Sequence, residues 1–324
     1  MDIERKIDNE HLKEYGIVDL EDGRIVFSAC HNSSKEENLR IIRDLDKDVK
    51  ERRDALLRFR NFNRKLGGFY FMIYTNTDIL FGDIGEICNE DLPKLLYLAS
   101  FLDYEDRNGN KICKNGANNI KTPMTKKEVF KLLGFSSTNK SKAWFERMER
   151  LGLIYMFEAY VELNEKYFIR GKQNEIGSDY TRIYVNTIRE LYVNNDMRKH
   201  RQLGLILRLL PLMNINSNII CRNPGEINGA NVYKMDRYDI AKILNVSDEK
   251  RNLSKMIRSL ITIKVHFENY ELQVFKFVTV SDSDDKREFF VVNPILSYKG
   301  NNYDELMKVL KTYFFEEKDI KPLK

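Results

Sequence analysis

The sequence predicts a mainly helical α+β protein in which one unit occurs twice, preceded by an N-terminal helical segment. Two stretches of the 324-residue chain, Leu92–Gly171 and Leu203–Gly300, carry similar motifs in the same order. Each stretch contains apolar residues at helical spacing and ends on strand-like residues followed by a glycine. We therefore divide the chain into residues 1–90, 91–200 and 201–324.

The repeat is clearest around two methionines. MTKKEVFKLLGFS at Met124–Ser136 matches MDRYDIAKILNVS at Met235–Ser247 in its methionine, capping residue, apolar pairs, lysine, turn and serine. Upstream, each stretch opens on an apolar helix and continues into a β-like run around a cysteine, NKICKN or NIICRN. Downstream, VELNEKYFIRG and VVNPILSYKG close the two stretches. We expect a further helix after each, TRIYVNTIRELYV from residue 181 and YDELMKVLKTYFF from residue 303. This agreement indicates a duplicated domain.

The first copy predicts two short helices joined by a tight turn. Thr125 and Glu128 form a capping box before an apolar face, and Gly134 lies at the turn. The second helix covers about residues 138–151, where Trp144 and Met148 face inward. Strand-like residues follow at 155–157 and 160–163. Helix, strand, helix, turn, helix and two strands is the order of a winged helix-turn-helix.

The second copy predicts the same order. Asp236 caps its first short helix, Asn245-Val246-Ser247 is the turn, and the next helix covers about residues 248–260. We expect three strands after this helix, at residues 262–267, 271–280 and 288–293. The acidic run Ser281–Asp285 lies between the last two strands and lacks the glycine and distal glutamate of a calcium loop. We interpret it as a solvated hairpin tip.

The N-terminal segment predicts a strand at residues 24–29, a helix over about 34–63 and a buried strand at 69–74. Within the helix an apolar stripe recurs at heptad-like steps, with Arg52 in one slot: Ile42, Leu45, Val49, Leu56 and Phe59. Residues 40–65 hold ten basic and five acidic side chains, a net charge of +5. The helix either packs on the body of the protein or forms a dimer; we favour packing, with phosphate contacts at its end by Arg58, Arg60, Arg64 and Lys65.

Several classes of protein are disfavoured because their motifs are absent from the sequence. There is no GxxxxGK[ST] or GxGxxG phosphate motif, and the four histidines are isolated. The four cysteines are scattered singly, the N-terminus is charged, and no apolar run approaches the roughly 20 residues that span a bilayer. We expect a cytoplasmic protein that is not an enzyme and that uses no metal, no cofactor and no membrane.

The second helix of each copy carries the residues expected to contact DNA. The major groove admits one α-helix, whose N-terminal residues reach the base edges. Residues 136–150 and 247–260 each hold four basic and two acidic side chains. The candidate contacts are Ser136, Ser137, Thr138, Asn139, Lys140, Lys142 and Arg147 in the first copy, and Lys250, Arg251, Asn252, Lys255 and Arg258 in the second. The first copy is the better candidate reader, since Asp248 and Glu249 would repel phosphate in the second.

The first copy resembles the winged-helix core of Firmicute phage and plasmid proteins, both MarR-type regulators and replication proteins. The residues that carry the resemblance are MTKKEVFKLLGFSSTNKSKAWFERMERLGLI, followed by ELNEKYFIRG. The tandem arrangement is also similar to plasmid initiators built from two winged helices. The resemblance implies sequence-specific binding of double-stranded DNA, and we favour transcriptional regulation by site occupancy. The alternatives are a replication initiator that binds origin repeats, and a winged-helix interaction scaffold that binds no DNA.

The dimer interpretation of the N-terminal helix predicts the effect of one substitution. If the apolar stripe is an interface, Ile42→Asp places a charge in it and dissociates the dimer, which sedimentation measures directly. A chain that already sediments as a monomer without the substitution contradicts this interpretation.

Overall fold

The computed structural model describes residues 16–18, 25–28, 35–74, 87–103, 109–116, 120–171, 180–282, 285–315 and 321–322. Within these residues the protein combines α-helices with small antiparallel sheets. The chain divides into two compact units, Met1–Arg58 and Phe59–Lys324.

The first unit contains a hairpin and most of a long helix. Strands β1 (Gly16–Val18) and β2 (Ile25–Ser28) pair antiparallel, and helix α1 runs from Lys35 to Lys65, ending inside the second unit. Both predicted elements, the strand and the helix, are confirmed to within two residues. On the predicted apolar stripe, Val49 and Leu56 are 58% and 55% exposed, and Phe59 is buried within the second unit. The side chains of Ile42 and Leu45 lie outside the described residues.

The second unit begins with the end of α1 and the strand β3 (Phe69–Ile73). The first repeat then follows in the order α2 (Asp91–Ala99), β4 (Cys113–Asn115), β5 (Lys121–Pro123), α3 (Lys126–Leu133), α4 (Thr138–Arg150), β6 (Ile154–Met156), β7 (Val161–Leu163) and β8 (Phe168–Ile169). The predicted capping box of Thr125 and Glu128 is present at the start of α3. Gly134 ends that helix with φ 64°, a left-handed conformation that glycine adopts without steric cost.

The second repeat is preceded by β9 (Tyr180–Tyr184) and α5 (Val185–Val193). It contains α6 (Met197–Leu209), α7 (Arg237–Ile243), α8 (Lys250–Leu260), and the strands β10 (Lys264–Phe267), β11 (Tyr270–Gln273), β12 (Phe275–Asp282), β13 (Asp285–Val292) and β14 (Ser297–Tyr298). Helix α9 (Tyr303–Tyr313) and the short strand β15 (Lys321–Pro322) complete the described chain. Asp236 caps α7 as predicted.

Two predictions about these elements are wrong. The helix expected from residue 181 onward begins only at Val185, because residues 180–184 form β9 and hydrogen-bond to strands on both sides. The single strand expected at 271–280 is two strands that pair with different partners, β11 with β10 and β12 with β13. Between them the buried Val274 bonds through its backbone to Ile263 and Asn293 instead of continuing either ladder.

The two repeats share a set of hydrogen bonds that hold the last hairpin against the first strand-like residues. Ile112 N donates to Val161 O at 2.9 Å, and Ile220 N donates to Phe290 O at 2.9 Å. A buried or half-buried asparagine then joins the hairpin to the closing strand in each repeat. Asn110 Nδ2 donates to the carbonyls of Leu163 and Phe168 at 2.8 and 2.6 Å. Asn218 Nδ2 donates to the carbonyls of Val292 and Ser297 at 3.1 and 2.8 Å.

A four-stranded antiparallel sheet, in the order β14-β9-β3-β8, joins the two repeats. Ile169 and Tyr298 occupy equivalent positions two residues before the closing glycines, and they pair with Phe71 and Arg182 respectively. Phe71 and Arg182 are therefore equivalent, and they also pair with each other where β3 meets β9. When equivalent residues face each other across a junction, a local twofold axis passes between them. Strand β3, expected in the N-terminal segment, lies at the centre of this sheet.

The shared asparagine predicts a measurable cost for its removal. Asn110→Ala leaves two backbone carbonyls of the first repeat without their donor, so we expect the free energy of unfolding to fall by about 1–3 kcal/mol. Urea denaturation followed by circular dichroism measures the change. Asn194→Ala, at an exposed position after α5, is the matched control and should change stability by less than about 0.5 kcal/mol. Equal effects of the two substitutions would contradict the assigned role.

Candidate nucleic-acid interface

The start of α4 is an exposed polar surface built by its capping residue. Ser137 has extended backbone geometry, and its hydroxyl accepts a hydrogen bond from Lys140 N at 3.3 Å. This bond satisfies one backbone donor of the first turn. The side chains around it are all exposed: Ser136, Ser137, Thr138, Asn139 and Lys140. The first turn of α4 thus presents a hydroxyl, an amide and an ammonium group to solvent.

Helix α8 presents equivalent positions in the second repeat. The buried residues of α4 lie four, seven, eight and eleven places after Ser137, and those of α8 lie at the same distances after Glu249. With this alignment, Thr138, Asn139 and Lys140 correspond to Lys250, Arg251 and Asn252. Lys250 and Arg251 are exposed, whereas Asn252 is half-buried and its amide lies 3.4 Å from Glu249 Oε2. The first two positions are therefore exposed in both helices with different side chains, whereas the third is fully exposed only in α4.

The remaining candidates on these helices are mostly exposed. Lys142 lies 3.9 Å from Glu146 in a solvent-exposed pair, and Lys255 and Arg258 are exposed on α8. Glu249 is the N-cap residue of α8 and its side chain makes no capping hydrogen bond. The helix begins at Lys250, two residues later than expected from the sequence. Asp248 and Glu249 are both exposed beside the first turn. Their charges make this end of α8 less favourable to a phosphate than the uncharged cap of α4.

Arg147 differs from the other candidates because its guanidinium is already bound. Its Nη2 donates to Asp91 Oδ2 at 2.7 Å, and Trp144 Nε1 donates to Asp91 Oδ1 at 2.8 Å. Asp91 is 1% exposed and also lies 3.7 Å from Lys94 Nζ. Burial lowers the pKa of Lys94, and the Asp91 carboxylate opposes this shift. Arg147 thus holds α4 on α2, a partnership that no motif in the sequence indicates.

The basic end of α1 is exposed but not uniform. Arg60 and Arg64 are exposed in the second unit, and Arg58 is the last residue of the first. Lys65 Nζ lies 2.7 Å from Glu268 Oε1 in the turn between β10 and β11. The hydrogen bond to Glu268 raises the pKa of Lys65, which keeps its ammonium charged but partnered. Of the four predicted phosphate contacts, Lys65 is therefore engaged within the protein.

The described part of the chain holds no group of three potential metal ligands, and none of its helices is long and apolar enough to cross a membrane. Cys113 and Cys221 are buried free thiols and Cys88 is exposed, whereas Cys30 lies outside the described residues. Burial raises the pKa of Cys113 to about 11, so this thiol stays protonated at neutral pH. Ser283 and Asp284 of the predicted hairpin tip also lie outside the described residues.

Comparisons with protein-family models, with curated proteins and with solved structures find no match to this chain.

The bond between Arg147 and Asp91 predicts that Arg147 stabilises the fold. Arg147→Met keeps much of the side-chain volume but removes the charged donor, so we expect the free energy of unfolding to fall by about 1.5–3 kcal/mol. Arg150→Met, at an exposed position one turn further along α4, is the control and should have little effect. Chemical denaturation of both variants is the measurement, and equal stabilities would contradict the structural role.

Proposed function

We propose that the protein binds double-stranded DNA sequence-specifically through two winged helix-turn-helix units. The observation that carries the proposal is the exposed first turn of α4, with its equivalent in α8. In both helices the buried face follows the same spacing, and the opposite face is polar and basic. An exposed helix of this kind fits into the major groove of DNA.

The side chains of α4 and α8 support two separate roles, reading of DNA bases and neutralisation of phosphate charge. The amide of Asn139 is suited to the edge of adenine, and the hydroxyl of Thr138 can bond several bases. Lys140 and Lys142 are suited to phosphate oxygens, which set the register of the protein without reading sequence. In the second repeat, Lys250, Arg251, Lys255 and Arg258 offer mainly positive charge. We therefore assign base reading chiefly to α4, and phosphate contact with weaker reading to α8.

The local twofold axis supports a DNA target that consists of two half-sites. The strands equivalent by sequence position, β3 and β9, pair across this axis, so the two repeats extend from a common sheet. Two reading helices related by a twofold axis match two half-sites on one duplex. A single chain would then supply both readers without needing a second copy.

Site occupancy is the mechanism by which such binding would regulate transcription, because bound protein excludes or recruits polymerase. Footprinting on genomic DNA tests this role against the alternatives. Protection of a promoter supports regulation, whereas protection of direct repeats at an origin supports replication initiation. A protein that uses the same units only for protein contacts would protect no duplex and show no salt-dependent affinity.

The proposed phosphate contacts predict a change in salt dependence. In the double variant Lys140→Ala/Lys142→Ala, we expect weaker duplex binding and a shallower slope of log K against log salt concentration. The slope should lose about one unit for each lost phosphate contact. Fluorescence anisotropy at several salt concentrations measures both quantities.

The matched control is Lys308→Ala/Lys311→Ala on α9, which removes the same charge at two exposed positions away from α4 and α8. Unchanged affinity and slope in the Lys140/Lys142 variant would show that α4 is not the reader. Asn139→Ala should instead relax preference at one base position in a binding selection, with little change in slope.

A further inference from the structure

We propose that residues Ile87–Asp91, which we call the junction segment, hold α4 in a fixed orientation relative to the second repeat and so set the spacing between the two half-sites. The proposal rests on the proposed function for its DNA consequence, while the mechanical coupling is independent of DNA. It follows from the contacts on the two sides of this segment.

On one side the junction segment binds α4 through a buried carboxylate. Asp91 accepts hydrogen bonds from Trp144 Nε1 and Arg147 Nη2, two residues on the inner side of α4. Its Oδ2 also accepts from Cys88 N at 2.9 Å, which ties the carboxylate to the backbone of the segment itself. A charged, 1% exposed acceptor with three donors has one low-energy position. The orientation of α4 therefore follows the position of residues 88–91.

On the other side the junction segment binds α6, the first helix of the second repeat. Arg208 donates from Nε to Asn89 Oδ1 and from Nη2 to Ile87 O, both at 2.6 Å. Glu90 forms an ion pair with Arg201, which lies about two helical turns before Arg208 on the same helix. Between these two arginines, Gly204 lets the backbones touch, since a Cβ there would lie 1.7 Å from Asn89 O. Any side chain at position 204 would force the segment and α6 apart.

The path continues to the second recognition helix by direct packing. Helix α6 contacts α8, and both helices contribute buried side chains to the same hydrophobic core, including Leu203 and Leu207 of α6 and Leu260 of α8. The steps from α4 to α8 are thus an ion pair to a buried carboxylate, a pair of short hydrogen bonds, a close backbone contact and packing between helices. Such a chain of contacts transmits orientation because packed interiors resist continuous deformation.

A fixed relation between two readers restricts the DNA that both can contact together. One extra base pair between half-sites moves the second by about 3.4 Å along the axis and rotates it by a tenth of a turn. A rigid protein then loses one set of contacts, together with the gain from simultaneous binding. The junction segment is therefore a positioning element whose weakening should broaden the tolerated spacings without altering either half-site.

The coupling is tested first without DNA. Spin labels are introduced through unnatural amino acids at the exposed positions Lys142 on α4 and Lys255 on α8, and their distance distribution is measured by pulsed electron resonance. We expect one narrow distribution in the parent chain and a broader or displaced one in Arg201→Gln/Arg208→Gln. Gly204→Ala, which separates the segment from α6 by volume alone, should give the same result. Arg198→Gln, an exposed arginine on the same helix, is the matched control.

The DNA consequence is tested with duplexes in which the spacing between the footprinted half-sites is changed by one or two base pairs. We expect the parent chain and Arg198→Gln to lose about tenfold or more in affinity per added base pair, and Arg201→Gln/Arg208→Gln to lose less than about threefold. Circular dichroism confirms that each variant is folded before its data are used, and Arg201→Gln alone is the milder variant if the double substitution unfolds.

The two arms separate the possible failures. An unchanged narrow distance distribution in both junction variants overturns the coupling, whatever the DNA result. If the distance distribution broadens in the variants but the parent chain binds no duplex, the mechanical coupling is supported and the proposed DNA-binding function is contradicted. A broadened distribution with an unchanged spacing profile overturns the claim that the junction segment sets the spacing.

Discussion

The antiparallel pairing of β3 with β9 is the constraint on which the second unit depends. These two strands lie at the centre of one sheet, and the closing strand of each repeat adds to its own side, β8 to β3 and β14 to β9. Neither repeat can complete this sheet alone, because each contributes one outer strand, and the two central strands, β3 and β9, precede the repeats along the chain. The two repeats are therefore parts of one folded body, and the exposed helices α4 and α8 are displayed by a common scaffold.

The polar side chains inside this scaffold have two different structural roles. Asn110 and Asn218 satisfy backbone carbonyls where a hairpin meets the closing strand, a local role that recurs in both repeats. Asp91 instead accepts hydrogen bonds from Trp144, Arg147 and the backbone of Cys88, whereas the aligned position before the second stretch is Gln202, which carries no charge. A buried carboxylate with several donors specifies one geometry at the expense of desolvation, whereas apolar packing tolerates small shifts. The orientation of α4 is thus specified by contacts with a buried carboxylate, which suits the proposed role of α4 in base reading.

Much of this architecture could be predicted from the sequence, since it depends on local signals. The capping residues Thr125 and Asp236, the turn at Gly134 and the buried face of α8 each follow from spacing within one or two helical turns. Strand β9 was not predictable in this way, because residues 180–184 continue into a helical pattern and become a strand only through pairing with two distant strands. The partner of Arg147 was equally hidden, since it lies 56 residues away and no motif links the two. Both the strand at β9 and the bond of Arg147 depend on tertiary contacts, which local sequence propensity does not contain.

The pair at the local twofold axis has a consequence for how closely the two repeats can resemble each other. Arg182 is 3% exposed, lies 5.9 Å from the Phe71 ring and donates to Gly300 O at 2.6 Å. Two identical repeats would place two arginines or two phenylalanines against each other here. The first would bury like charges together, and the second would leave that carbonyl without its donor. The two repeats therefore differ necessarily at this position: replacing Arg182 by Phe loses the hydrogen bond to Gly300 O, and replacing Phe71 by Arg buries two guanidinium groups together.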